Sequence, residues 1–290
     1  MLYLLIAIMV LAWSGNFVVA KFTLRELPPF ALLFLRVLFS NVLLLSIYFS
    51  SRQHRQRPRP AGGDWRWFAL LGLFGVAMNQ TGFTVGINST TVAHSSLIIS
   101  LTPIFVLLLA TRMKLESFTA LKVIGMTLSF AGVAVLVAEY GFGSNSPTFT
   151  GDLLTLAGSI AFALYTVYGK RVSERYDTLT LNTFTYLAGA VVVLPLSGWQ
   201  LFEVDWQSVT WRGWLGAVYM AGMASVLAYM IFYYALTKIS ASRVAVFSYL
   251  QPVLATLLGI LLLHEEVTHH LLIGGSLVLL GVYLAERGRG

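Results

Sequence analysis

AHSSLIISLTPIFVLLLATRMKLE (residues 93–116) and SRVAVFSYLQPVLATLLGILLLHEE (residues 242–266) belong to one chain and run in step. A shift of 149 positions sets Pro103 on Pro252, Glu116 on Glu265 and His94 on Arg243. In both stretches small residues lead to a proline, an apolar run follows, and a glutamate closes it. The same shift sets Lys21 on Lys170, Trp65 on Trp214, Phe83 on Phe232, Gly125 on Gly274 and Gly132 on Gly281. Leucine matches are cheap in an apolar chain. Lys, Glu, Pro and Trp are scarce here, and their agreement at one lag marks an internal repeat.

Each stretch holds about the 20 apolar residues that cross a ~30 Å hydrocarbon core. The rest of the chain is alike. Its 290 residues are 57% hydrophobic and 11% charged, with mean hydropathy +0.78, whereas soluble domains are near a quarter charged. A window of about 19 residues predicts ten spans, near 2–20, 29–49, 66–86, 91–111, 119–138, 152–170, 180–198, 212–236, 243–263 and 268–285. The longest polar break is Ser51–Asp64, and the GFGSNSPTFT segment (141–150) reads as a flexible joint between halves. The fold class follows: an all-α membrane protein of ten transmembrane helices, in two five-helix repeats, residues 1–140 and 150–290. Five is odd, so the second repeat enters the membrane from the opposite face. Inverted repeats place a pseudo-two-fold axis in the membrane plane, with two near-equivalent packings around a site near the midplane. That arrangement points to a transporter working by alternating access.

Orientation follows from the basic residues, which cytoplasmic loops retain. With the N-terminus in the cytoplasm, the loops after spans 2, 4, 6 and 8 and the C-terminal tail hold 15 Lys and Arg, against three (Lys21, Arg25, Arg212) on the other side. Both termini are therefore expected in the cytoplasm, in a bacterial inner (plasma) membrane. The net charge of +7 is accounted for by these loops, and no basic platform with interleaved aromatics offers a nucleic-acid site. Cysteine is absent, which excludes disulfides and thiolate metal sites. The stretch from Met1 to Ala12 has no basic start and no cleavage pattern, and reads as the first span.

Trp13-Ser14-Gly15-Asn16-Phe17-Val18-Val19-Ala20-Lys21 resembles the opening of EamA-type proteins of the drug/metabolite transporter superfamily. So do the two stretches quoted at the outset. The resemblance covers essentially the whole chain, repeat included. It implies a ten-helix exporter or facilitator of small metabolites, commonly amino acids, without naming the solute. Drugs or cations, nucleosides and nucleotide sugars are the alternative substrates within the superfamily.

Several polar residues at membrane depth are candidates for substrate binding. Arg36 lies seven residues after Pro29, roughly 10 Å into its span. A guanidinium there costs at least ~2.5 kcal/mol, and it is either a counter-charge for a substrate carboxylate, a gate, or a helix-locking group. An Arg at this place also resembles the family pattern. Pro103 and Pro252 are candidate hinges, since each frees a backbone carbonyl one turn earlier. Ser100, Thr102, Tyr249 and Gln251 lie within a turn of them. Trp13 and Asn16 share a helix face. Asn79, Gln80, Tyr165 and Tyr229, which is the image of Gln80 under the lag, complete a set of amides and aromatics suited to zwitterionic or aromatic solutes. Each is equally an interhelical hydrogen-bonding residue. His94 and Arg243 begin their spans on opposite faces and read as gate residues or as solvated helix ends.

The HEEVTHH run (264–270) has histidines five apart, not four, and bridges two spans, so no metal is expected. No phosphate-binding GxxxxGK[ST] pattern occurs, and no cofactor is implied. The twelve carboxylates fall at span ends or in loops. Flux is therefore expected to be facilitated or weakly coupled, with His94 the one titrating alternative near neutral pH. An intramembrane enzyme needs a catalytic constellation at depth, and no aspartate falls there; a channel would not saturate. The partners expected are a small-molecule substrate and the lipid bilayer, with the protein a monomer.

Overall fold

A helix is the one local structure that satisfies every backbone N–H and C=O inside lipid without help from neighbours, and every regular element described here is helical. The computed structural model describes residues 1–50, 62–112, 119–139, 148–239 and 250–287. Among the described residues, eight helices are long and apolar enough to cross a membrane, and two shorter apolar ones follow. In chain order they are α1 (Leu2–Thr23), α2 (Pro29–Ser50), α3 (Gly62–Asn88) and α4 (Val92–Ile99, resuming as Thr102–Arg112). Then come α5 (Ala120–Ala138), α6 (Phe149–Val172), α7 (Thr178–Ser197), α8 (Trp211–Lys238), α9 (Leu250–Leu263) and α10 (His269–Arg287). Side chains fix several starts: Thr91, Thr119 and Asp177 each accept a hydrogen bond from a backbone amide of the helix they open.

The repeat shows in local backbone. A π-helical segment interrupts α3 over Gly72–Met78, and another interrupts α8 over Met220–Leu227, the same place under the 149-residue lag. Such segments shift the hydrogen-bond ladder by one residue and turn side chains about the axis.

Packing of α5 against α10 shows how the copies are related. A Cβ on Gly125 would run into the Gly281 carbonyl oxygen, and one on Gly132 would stand 2.6 Å from that of Gly274. Position rises along one helix as it falls along the other, so the two are antiparallel and their backbones touch. Gly125 faces the image of Gly132, and Gly132 the image of Gly125. Between them, Ser129 donates to the carbonyl of Val278, a residue 149 positions on, at 3.2 Å. A residue bonded to its own image lies on the symmetry axis, and an axis relating antiparallel helices crosses them. The repeats are thus inverted.

They are also interleaved. Helix α1 packs on α8 and α9, and its image α6 packs on α3 and α4; α2 packs on α8, and its image α7 on α3. The main apolar core accordingly mixes Ile6, Met9 and Phe68 with Tyr165, Tyr186 and Phe232. The halves share a core.

Candidate functional site

Between the interleaved helices lies a cavity of about 880 Å³, its open mouth included, walled by α1, α2, α3, α4, α6, α8 and α9. Its wall is built of image pairs. Trp13 and Phe162, Phe17 and Thr166, Phe83 and Phe232, and Thr102 and Gln251 each stand 149 positions apart, and all eight line it. Trp13 meets Phe162 edge-on at 5.9 Å and Tyr229 at 5.7 Å, and Phe162 lies 5.4 Å from Phe232. Edge-on aromatic packing of this kind gives a rigid apolar frame.

One charge breaks the symmetry. Arg36 lines the cavity and is 3% exposed. Its Nε donates to Ser225 Oγ at 2.8 Å, and its guanidinium stands 5.7 Å from the Phe83 ring centroid. Its Nη1 has no partner and the side chain joins no ion pair, among the described residues. A desolvated cation without a counter-charge is unfavourable by several kcal/mol. The Oδ1 of Asn16, also in the wall, is a buried acceptor without a partner among the described residues.

The π segment of α8 holds this arrangement. Its backbone and Ser225 receive bonds from three helices: Trp13 Nε1 to the Ala224 carbonyl at 3.0 Å, Arg36 to Ser225, and the Tyr186 hydroxyl to the Ser225 carbonyl at 3.3 Å. Asn79 donates to the Gly158 carbonyl at 3.1 Å and accepts from the Tyr229 hydroxyl at 3.0 Å. It lines the cavity while also tying α3, α6 and α8 together.

Helix α4 breaks at Ser100–Leu101, just before Pro103. Proline cannot donate to the carbonyl of Ile99, and the Thr102 hydroxyl takes that carbonyl at 2.7 Å instead. Ser96 and Ser100 bond back in the same way, to Ala93 and Leu97. The break is therefore satisfied internally and needs no substrate to hold it. Pro252 stands in the first turn of α9 and also lies in the bundle interior.

Of the residues singled out from sequence, Trp13, Asn16, Arg36, Asn79, Ser100, Thr102, Pro103, Tyr229 and Gln251 meet in this cavity. Gln80 and Tyr165 stand one layer behind it. Gln80 donates to the Tyr186 hydroxyl at 2.7 Å, and Tyr165 is fully buried against Gly75, Phe162 and Tyr233. Tyr249 and Arg243 lie outside the described residues. His94 points away from the cavity, toward Asp152 of α6 and Glu139 at the end of α5. Those carboxylates do fall at helix ends, as the sequence indicates, yet Asp152 is buried and the Glu139 side chain is only 9% exposed; a helix end is not solvated when neighbouring helices overlap it. Sequence reading missed the aromatic frame and Ser225. The frame's signal was in the lag itself, since Phe162, Thr166 and Phe232 are the images of Trp13, Phe17 and Phe83.

Ten membrane-spanning helices, an inverted repeat and a central cavity define a multi-pass carrier. The model of the EamA-like transporter family matches residues 1–138 and again 149–286, and the chain belongs to that family, within the drug/metabolite transporter superfamily. It is similar to an "uncharacterized transporter" of Archaeoglobus fulgidus, 32% identical over 285 residues, covering 97% of this chain and 96% of that one. A Bacillus subtilis "uncharacterized transporter", YvbV, is 27% identical over 285 residues, covering 98% and 90%. A solved crystal structure of a protein at 22% identity covers 97% of this chain and 95% of its own with a TM-score of 0.66, a likeness of fold.

Proposed function

We propose that the protein carries small metabolites bearing a carboxylate, amino acids above all, as an exporter or facilitator working by alternating access around the cavity. The observation that carries this reading is Arg36, buried in the wall with Nη1 unpartnered among the described residues. A carboxylate is the planar anion that a guanidinium fork fits best. The free Asn16 Oδ1 offers an acceptor for an ammonium group, and the frame of Trp13, Phe162 and Phe232 suits an apolar side chain. In this reading Pro103 and Pro252 act as hinges, and residues 1–140 and 150–290 act as exchanged partners. The packing favours α1, α8 and α9 as one moving body and α3, α4 and α6 as the other. The protein is a monomer in a bacterial inner membrane with both termini in the cytoplasm.

Proteoliposomes loaded with labelled phenylalanine test it. Efflux is expected to saturate, to be competed by unlabelled amino acid and to be insensitive to phenylalanine methyl ester, which lacks the anion. Arg36→Ala abolishes the competed efflux, and Arg36→Lys, which keeps the charge and the fold, retains a fraction of it. Equal competition by acid and ester would overturn the reading, as would efflux that survives in Arg36→Ala.

A further inference from the structure

The start of α4 sits in a cluster of titratable groups that the cavity does not use. His94 is 2% exposed, with Nδ1 3.3 Å from Asp152 Oδ2 and Nε2 3.2 Å from Glu139 Oε2. Asp152 stands in the first turn of α6, 3% exposed, and its other oxygen accepts from the Thr90 hydroxyl. Glu139 is the C-terminal cap of α5, its side chain 9% exposed. A carboxylate at a helix C-terminus is opposed by the helix dipole, and the His94 contact offsets that for Glu139. Among the described residues, the other charged groups at this turn lie on its far side: Glu265 accepts from the amides of Val92 and Ala93 at 2.7 and 3.1 Å, with Lys21 of α1 acting on Glu265.

With no proton bound the cluster carries two negative charges, with one proton a single charge, and with two protons none. Out of water these charge states differ greatly in energy. The first half of α4, Val92–Ile99, is only eight residues long and ends at the Ser100 break. Ser96 and Ile99 of this half line the cavity. One end of a short, separately hinged helix is thus held by groups that change charge, and its other end forms the cavity wall.

We propose that His94, Asp152 and Glu139 form a proton-binding site whose occupancy sets the position of the first half of α4, so that the carrier is proton-coupled. The cluster has no counterpart in the other half, where the images of Asp152 and Glu139 are Tyr3 and Gly288. It therefore answers to the pH on one side of the membrane alone, the side on which α1 ends and α4 begins. Protonation of His94 tightens the grip of the two carboxylates and holds the α4 segment against α5 and α6; loss of the proton loosens that grip and frees the segment to move.

The site is tested on purified full-length protein in lipid nanodiscs, with no substrate present. The chain has five histidines, and the NMR signal of His94 is the one lost in His94→Gln. The His94 signal is expected to titrate, and its midpoint falls by roughly one pH unit or more in Asp152→Asn and in Glu139→Gln. Hydrogen exchange over residues 92–99, after correction for the intrinsic rate, shows a step with the same midpoint that vanishes in His94→Gln. If His94→Gln yields no folded protein, Asp152→Asn alone shifts the step. A His94 signal that does not titrate, an unshifted midpoint in the carboxylate variants, or a step that outlives the loss of His94 would overturn the proposal. A purely structural lock lowers thermal stability in these variants and leaves the pH profile in place. Coupling itself is read from phenylalanine efflux driven by a pH gradient, lost in His94→Gln while exchange without a gradient persists; that arm rests on the proposed substrate, and the first two stand without it.

Discussion

The copy of the fold in residues 1–138 and the copy in residues 149–286 place a π segment in the same part of their third helix and a glycine pair in their fifth, yet the image of Arg36 is Thr185. Skeleton and aromatic frame obey the pseudo-dyad. The charge does not, and neither does the His94 cluster. The difference separates two jobs. Symmetry gives the carrier two packings of similar energy, one open to each face. On the proposed reading, asymmetry gives a substrate one orientation in a cavity that would otherwise accept it either way round, and gives one face a sensitivity the other lacks.

Moving the cation across the axis tests that separation with the largest effect. Arg36→Thr should reduce phenylalanine efflux upward of ~100-fold, the scale of losing a buried charge partner. The double variant Arg36→Thr/Thr185→Arg carries the charge at the image position and should not recover. Arg36 is aimed by Ser225, whose image is Val76, a fully buried apolar residue. An arginine at 185 therefore has nothing to hold it toward the cavity. Restored efflux would show that the cavity is symmetric in its chemistry as well as its frame.

A smaller effect is expected from paired glycines. Gly125 and Gly274 are images, but a Cβ on Gly125 runs straight into backbone, the Ala285 nitrogen and the Gly281 oxygen, while one on Gly274 meets the Leu136 side chain at 2.7 Å and the Gly132 oxygen at 2.8 Å. A side chain turns aside more readily than a backbone. Gly125→Ala should lower the melting temperature further than Gly274→Ala, both within the ~1–3 kcal/mol typical of overpacking. Equal shifts would mean that α5 and α10 separate as rigid rods and that local fit is unimportant.

The spans were legible because an apolar run of about 20 residues seldom arises outside a bilayer, and nine of the ten windows overlie the described helices over nearly their whole length. For α9 the described helix begins at Leu250, inside its window. Polar residues in the spans were legible for a related reason: Trp13, Asn16, Arg36 and Asn79 stand out against leucine, and burial makes them meet. The aromatic frame was not, since Phe162 and Phe232 look like any other apolar residue until the lag pairs them with Trp13 and Phe83. Nor was the burial of Asp152 and Glu139. Position along a helix tells how near the end a residue lies; it does not tell which neighbouring helix covers that end. The interleaving of the halves belongs to the same class, a property of packing between copies that are each fully described by their own pattern.

One further change decides what Arg36 is for. Ser225 Oγ accepts from Nε at 2.8 Å and leaves Nη1 without a partner among the described residues. Ser225→Ala removes that acceptor and nothing else of size, and a hydrogen bond to a charged group is worth about 1.5–3 kcal/mol. If Arg36 only locks α2 to α8, the whole loss appears as reduced thermal stability, and the phenylalanine KM stays where it was. If Arg36 binds the carboxylate, the side chain swings freely without substrate and is re-ordered by it. The loss then appears in KM, which rises roughly tenfold while kcat changes little. A raised KM with a near-unchanged melting temperature is the outcome expected. The reverse pattern would leave the fold as described and remove the cation from the substrate site.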